Sequence, residues 1–316
     1  MKEITHINAM TVDEAVSALG AGKAVIAGGT DLFGYMKAMV SPNAPDTLVN
    51  IKTISGLDSI KEEGGVLKIG ALAKLTDIAE SSVVQANYTA LAEAARKVGT
   101  PELRNMGTIG GNICQLIRCW YYRAEYNAFD CLRKNPAGVC QALLGDNRYH
   151  SIFGAVNGCI AVNPSDTAPA LVALDAKIVT SKNTAGYSAE NFFAFTGAGS
   201  EKTTVLDDDE IVTEIQVPTP AAGTKSAFVK FAIRKSFDFP IVNCAVARIG
   251  SSGRICLNAV HNLPRRATAA EAALPDAAAA GAAAVADAIP ASPVGHNKYM
   301  IQIAEVMVKR AVEATA

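Results

Sequence analysis

Lys23-Ala24-Val25-Ile26-Ala27-Gly28-Gly29-Thr30-Asp31-Leu32 reads as a short buried strand that ends in a glycine pair and opens a helix. Lys23 to Ala27 is an apolar run of strand length bounded by turn residues. Asp31 to Val40 has a helical pattern, and Thr47-Leu48-Val49-Asn50-Ile51 is a second buried strand. This strand, turn, helix, strand order predicts parallel pairing, because the helix carries the chain back to where the first strand began. Upstream, Thr11-Val12-Asp13-Glu14 fits a capping box, so a helix is expected to run to about Leu19 and stop at Gly20.

Outward from this unit, strand and helix alternate. Val66 to Gly70 reads as a strand, and Leu75 to Glu80 and Thr89 to Val98 read as helices. Leu171 to Thr180 and Glu210 to Val217 read as strands, the second alternating and so half exposed. Pro218-Thr219-Pro220 is a linker. Ala227 to Arg234, Ile241 to Ile249 and Arg254 to Val260 predict an antiparallel meander. The alanine-rich segment 267–288 is expected to be helical, broken by Pro275 and Gly281, with a loose surface segment as the other reading. Met300 to Val312 has the spacing of a final amphipathic helix.

Composition sets the class. The chain has 316 residues, 50% of them hydrophobic, and a formal net charge of −1. That length supports two or three subdomains with real cores. The charge gives no reason to expect nucleic acid or an anionic membrane surface as the main partner. No apolar run reaches membrane-spanning length. Met1-Lys2-Glu3-Ile4-Thr5-His6 contains no signal-peptide core. A cytoplasmic location is the simplest expectation, with periplasmic export as a passenger on a signal-bearing partner as the alternative.

The glycine turn has a chemical use. Glycines let the backbone approach a diphosphate, and successive amides there can donate to its oxygens. The turn is neither a Walker loop nor a Rossmann fingerprint. Alone it is weak evidence. A second glycine pair occurs in Thr108-Ile109-Gly110-Gly111-Asn112, and Pro164-Ser165-Asp166 supplies an acceptor suited to a ribose or ribityl hydroxyl.

Between those two segments lie Cys119, Cys131, Cys140 and Cys159, among seven cysteines in all. Close cysteines in a chain without an export signal point to metal ligation rather than disulfides. Four thiolates can hold a [4Fe–4S] cluster or a zinc ion. Their wide spacing is not a zinc-ribbon pattern. Cys114 follows the second glycine segment directly, where packing explains a small apolar residue. Cys244 and Cys256 fall in strand-like apolar runs and are expected to be buried. His150 is expected to be a hydrogen-bonded loop residue, and Trp120, Tyr121 and Tyr122 to belong to the core of the insert.

With these residues in view, the chain resembles the FAD-binding subunit of the molybdenum hydroxylases, the group that includes xanthine dehydrogenase and carbon monoxide dehydrogenase. Both glycine segments match the family's flavin-binding motifs, and Ser165-Asp166 matches a third contact. The resemblance implies that Ile26, Ala27, Gly28, Gly29, Thr30, Asp31 and Leu32 wrap the diphosphate, with Thr108, Gly111 and Asn112 adding contacts. Ser165 and Asp166 would add the third contact, with Asp166 bonding a hydroxyl. Ile211 and Val212 would pack near the flavin ring, and Lys230 would place a cation beside it, favouring the reduced, anionic form. The insert, with Arg118-Cys119-Trp120-Tyr121-Tyr122-Arg123 and Asn147-Arg148-Tyr149-His150-Ser151-Ile152-Phe153, is similar to a branch that binds an extra [4Fe–4S] cluster. That branch includes the flavin subunits of 4-hydroxybenzoyl-CoA reductase and some bacterial aldehyde oxidoreductases.

The implied fold class is α+β. An FAD-binding domain spans 1–220, with PCMH-type subdomains at 1–55 and 56–220 and the iron–sulfur insert at 114–160. A C-terminal domain of three antiparallel strands plus helices spans 225–316. The implied partners are a large molybdenum-cofactor subunit and a small [2Fe–2S] subunit, in a hetero-oligomer such as a dimer of heterotrimers. Neither partner's cofactor motif occurs here: there is no C-x4-C-x2-C and no molybdopterin region. Electrons would pass through FAD, with a ferredoxin or another carrier as the outside acceptor or donor. Two other readings stay open. One is a non-redox interaction subunit with a zinc-stapled insert. The other is a free-standing flavin oxidase, for which the chain offers no acid–base pair.

Overall fold

The computed structural model describes residues 3–290 and 295–316. The first sheet holds β1 (Thr5–Asn8), β2 (Lys23–Ile26) and β3 (Thr47–Asn50), with α1 (Val12–Ala18) and α2 (Leu32–Lys37) in the connections. Its order is β1-β3-β2 and every pairing is parallel, with Ile26 opposite Asn50. The pairing expected for β2 and β3 is observed. β1 is an extra edge strand, too exposed to announce itself by an apolar run. Thr11 caps α1 by accepting from Glu14 N–H. Glu14 reaches back to Met10 N–H at 2.7 Å, one residue beyond the usual capping-box partner.

The second sheet is antiparallel. It uses β4 (Ile60–Glu63) and β5 (Val66–Gly70), followed by α3 (Leu75–Glu80), α4 (Ser82–Asn87), α5 (Thr89–Arg96), α6 (Pro101–Met106) and α7 (Ile109–Cys114). After the cysteine-rich stretch come α8 (Thr167–Ala173), β6 (Lys177–Thr180), β7 (Tyr187–Ser188), α9 (Ala189–Phe192) and β8 (Val212–Pro218). The order is β4-β5-β8-β6-β7. One expectation fails here. Leu171 to Thr180 is not one strand, since its first half continues α8 and only Lys177–Thr180 is extended. All seven α8 residues are buried, and an apolar run buried on every side has no periodicity to separate helix from strand.

The third sheet is the expected meander with a short fourth strand: β9 (Lys225–Phe231), β10 (Val242–Ile249), β11 (Ser252–Asn258) and β12 (Arg265–Arg266). Both faces of β10 are covered. Ala245 and Ala247 join the core of the second sheet, whereas Val242, Cys244 and Val246 pack with Met300, Ala304 and Val308. Cys244 and Cys256 are buried, as expected.

The alanine-rich segment forms α10 (Thr268–Glu271) and α11 (Ala277–Ala284), packed under α12 (Tyr299–Glu313). Pro275 separates the first two. Gly281 does not break α11, contrary to expectation. A Cβ there would lie 2.8 Å from the Glu305 carbonyl oxygen, so the glycine lets α11 and α12 approach closely. Packing, not surface looseness, accounts for the segment's low complexity.

The cysteine insert, between α7 and α8, is mostly irregular. It shares a core with the first sheet: Tyr122, Cys131, Leu132 and Cys159 pack with Ile26, Tyr35, Met36 and Val40. Tyr122 is buried as expected, but Trp120 is 37% exposed and so is not core.

Candidate functional site

One cleft of ≈ 1140 Å³ gathers the separate sequence signals. Its walls include all of Ile26 to Leu32, together with Thr108, Gly111, Asn112, Asp166, Ile211, Val212 and Lys230. Ligand pockets usually span roughly 300–1,000 Å³, so this one has room for a dinucleotide. Ser165 is absent from the walls. It is fully buried, and its hydroxyl donates to Asn112 Oδ1 at 2.6 Å.

The two glycine segments meet backbone to backbone. A Cβ at Gly28 would sit 2.2 Å from the Met106 carbonyl oxygen and 3.0 Å from Gly107 Cα. Only glycine permits that approach, which sets the turn after β2 against the segment leading into α7. Among the described residues, no protein group accepts from the backbone N–H groups of Gly28, Gly29, Thr30 and Asp31. A row of free amides on a cleft wall is a good receptor for phosphate oxygens. The second segment differs. Thr108 caps α7 by accepting from Gly111 N–H at 3.2 Å, while Ile109 and Gly110 N–H donate to Ala73 and Ala71. Its amides are already used, so it offers shape and side chains. Asn112 is oriented by the hydroxyls of Ser165 and Thr167, which donate to its Oδ1 at 2.6 and 2.7 Å.

A carboxylate beside a diphosphate would repel it, and Asp31 is neutralised. Arg118 donates to its Oδ1 at 2.8 Å, Arg123 donates to both oxygens at 2.9 and 3.0 Å, and Leu116 N–H donates at 3.1 Å. Two guanidiniums on one carboxylate leave net positive charge beside the glycine turn. Burial pushes the Asp31 carboxyl up, but the two arginines and these hydrogen bonds outweigh it and hold it below its ordinary value of 3.8. A depressed folded value means that the stability it supplies is complete above 3.8 and is lost as pH falls through the lower folded value. Asp31→Asn should therefore cost about 1.5–3 kcal/mol near neutral pH, the range for hydrogen bonds to charged groups. That cost should shrink below the ordinary carboxyl value. Urea unfolding of both proteins at neutral and strongly acidic pH checks this; a pH-independent gap would contradict it.

Lys230 and Asp166 form a buried ion pair at 2.6 Å, with side chains 8% and 4% exposed. Lys230 Nζ also donates to Lys97 O, and Asn243 Nδ2 donates to Asp166 Oδ1. Burial pushes the Asp166 carboxyl up, opposed by Lys230 and Asn243. Lys230 thus meets the cleft as half of a dipole rather than as a free cation, which weakens the electrostatic role expected for it.

Cys119, Cys131, Cys140 and Cys159 converge on a second, small pocket, whereas Cys114 lines the large cleft. Among the described residues, no group of three or more His, Cys, Asp or Glu side chains is disposed to hold a single metal ion. The thiols are surrounded by donors. Backbone N–H groups of Tyr122, Arg133 and Ile160 serve Cys119, Cys131 and Cys140. Arg133 Nε donates to Cys159 Sγ at 3.2 Å, and His150 Nε2 lies 3.2 Å from Cys119 Sγ. Burial pushes the Cys119 thiol up to about 12 and raises Cys131 and Cys140. Without a bound cation these groups stay protonated near neutral pH.

Between the pockets lies a group with no local sequence signal. Glu201 accepts from Tyr122 at 2.6 Å, Tyr35 at 3.0 Å and Ser41 at 2.6 Å, so it ties the insert to α2. Phe237 and Phe239 line the cleft as well, with Arg118 4.3 Å from the Phe239 ring. Alternating patterns expose neither contribution.

Residues 2–220 match the model of the FAD binding domain in molybdopterin dehydrogenase. The aldehyde oxidoreductase FAD-binding subunit PaoB of Escherichia coli (strain K12) is 33% identical over 96% of this chain and 96% of its own length. The carbon monoxide dehydrogenase medium chain of Hydrogenophaga pseudoflava is 30% identical over 96% of this chain and 94% of its own. Among solved structures, the carbon monoxide dehydrogenase from Hydrogenophaga pseudoflava lacking the Mo-pyranopterin moiety of its cofactor superposes with a TM-score of 0.74 at 29% identity. It covers 99% of this chain and 97% of that one.

Proposed function

This chain belongs to the FAD-binding medium subunits of the molybdenum hydroxylases, and from that premise we propose that it is an electron-transfer subunit with two redox centres. FAD occupies the large cleft, and a [4Fe–4S] cluster is held by Cys119, Cys131, Cys140 and Cys159. In this reading the FAD-binding domain spans 1–220 and carries the insert, with the C-terminal domain at 225–316. The partners are a large molybdenum-cofactor subunit, where substrate chemistry occurs, and a small [2Fe–2S] subunit. A ferredoxin or similar carrier exchanges electrons with the outside.

The single observation that carries the flavin half is the row of free amides from Gly28 to Asp31, on the same wall as Thr108, Asn112 and Asp166. When bound, FAD takes and gives electrons singly or in pairs, which joins one-electron clusters to other acceptors. The chain's own groups bind and orient. The amides take the diphosphate, the Asp31–Arg118–Arg123 group adds positive charge, Asp166 keeps acceptor capacity toward a hydroxyl, and Ile211 and Val212 give an apolar wall. No side chain needs to act as acid or base. Four thiols around one pocket support the cluster.

Purification with its partners, followed by flavin, iron, zinc and molybdenum analysis, tests the reading. About one FAD and about four irons per chain, beyond those of the [2Fe–2S] subunit, are expected. A colourless preparation, or zinc in place of iron, would sink the two-centre assignment.

A further inference from the structure

Arg133 is 1% exposed and Lys134 is 7% exposed. Among the described residues, neither forms an ion pair with a carboxylate. Arg133 donates to Cys159 Sγ, to Lys202 O at 3.2 Å and to Asn262 Oδ1, and its guanidinium lies 3.7 Å from the Phe195 ring centroid. Lys134 Nζ donates to Val40 O at 2.6 Å and to Asn127 Oδ1 at 2.9 Å. Glu201 acts on Lys134 from beyond ion-pair range and is already engaged by Tyr35, Ser41 and Tyr122. Burying a cation costs several kcal/mol even after relaxation, and dipoles alone offset it poorly. Two adjacent cations in this state require an anion that the carboxylates do not provide.

The groups beside them are the four thiols. Arg133 lines their pocket and bonds one of them. As thiols they carry no charge. As thiolates around a dipositive iron–sulfur core they would leave a net charge of about −2, which the two cations match. We propose that Arg133 and Lys134 are the built-in counter-charges of the thiolate-held centre, and that Arg133, through its N–H to Cys159, is a positioning residue that raises the centre's reduction potential. The inference rests on the [4Fe–4S] reading above. Reduction adds one electron to the core, with no bond broken and no proton required. Fixed positive charge therefore favours the reduced, more negative form.

The test is a potentiometric titration of the assembled complex, poised with chemical mediators and read by electron paramagnetic resonance of the reduced cluster. Arg133→Gln removes the charge but keeps an amide donor. It should lower the reduced-to-oxidised ratio at fixed potential roughly tenfold, about 59 mV for a one-electron couple. Arg133→Lys keeps the charge and should recover most of that shift. Lys134→Gln touches no thiol, so it serves if the Arg133 variants do not load, and it should shift the ratio the same way. Loaded variants that titrate like the parent overturn the counter-charge proposal and leave the cluster standing. A parent complex without the cluster overturns both, which separates the two failures.

Discussion

Gly28→Ala is expected to empty the cleft of FAD. The added methyl would lie 2.2 Å from the Met106 carbonyl oxygen, which is backbone and cannot rotate aside. Either the turn after β2 or the segment leading into α7 must move. The first change displaces the amides of Gly28 to Asp31 from the diphosphate. The second displaces Thr108 and Asn112. Overpacking of this kind costs about 1–3 kcal/mol in stability. The affinity loss should be larger, roughly a hundredfold, because both halves of the receptor shift together. Flavin content after gel filtration and a fluorescence titration with added FAD measure it. Native affinity in a folded variant would remove this backbone contact from the account of cofactor binding.

Cys131→Ser is expected to abolish the four-iron signal while leaving FAD in place. Cys131 is 8% exposed, and its sulfur accepts from Arg133 N–H at the pocket shared with the other three thiols. A serine hydroxyl ionises far less readily than a thiol and is a poor ligand for iron. Cys131 does not line the flavin cleft, and the groups that join the insert to the glycine turn, Arg118 and Arg123, lie elsewhere in the insert. The outcome is read as complete loss of the reduced-cluster resonance with an unchanged flavin absorbance band. A full four-iron resonance would remove Cys131 from the ligand set. Loss of both signals would show that cluster and flavin site fold as one unit.

The readable parts of this protein are those whose physics is local. A strand, a glycine turn and a helix within residues 23–40 predicted a parallel pair, because only that crossover returns the chain to the same edge. The meander of β9, β10 and β11 was readable from turn residues between short apolar runs. Where burial is complete, the same signals fail. α8 was read as part of a strand because none of its residues faces water. Gly281 was read as a helix breaker because its reason for being glycine is another helix.

Sequence alone determined the family, the α+β class, two glycine segments for a dinucleotide and four cysteines set apart from the rest. Each depends on residue type and on neighbours a few positions away. Tertiary structure decided how these parts act on each other. It paired Asp31 with Arg118 and Arg123, turned Lys230 into half of a buried dipole with Asp166, withdrew Ser165 behind Asn112 and, among the described residues, left Arg133 without a carboxylate. Such pairings join residues far apart in the chain. Charge and burial act through distance in space, which the order of residues does not contain.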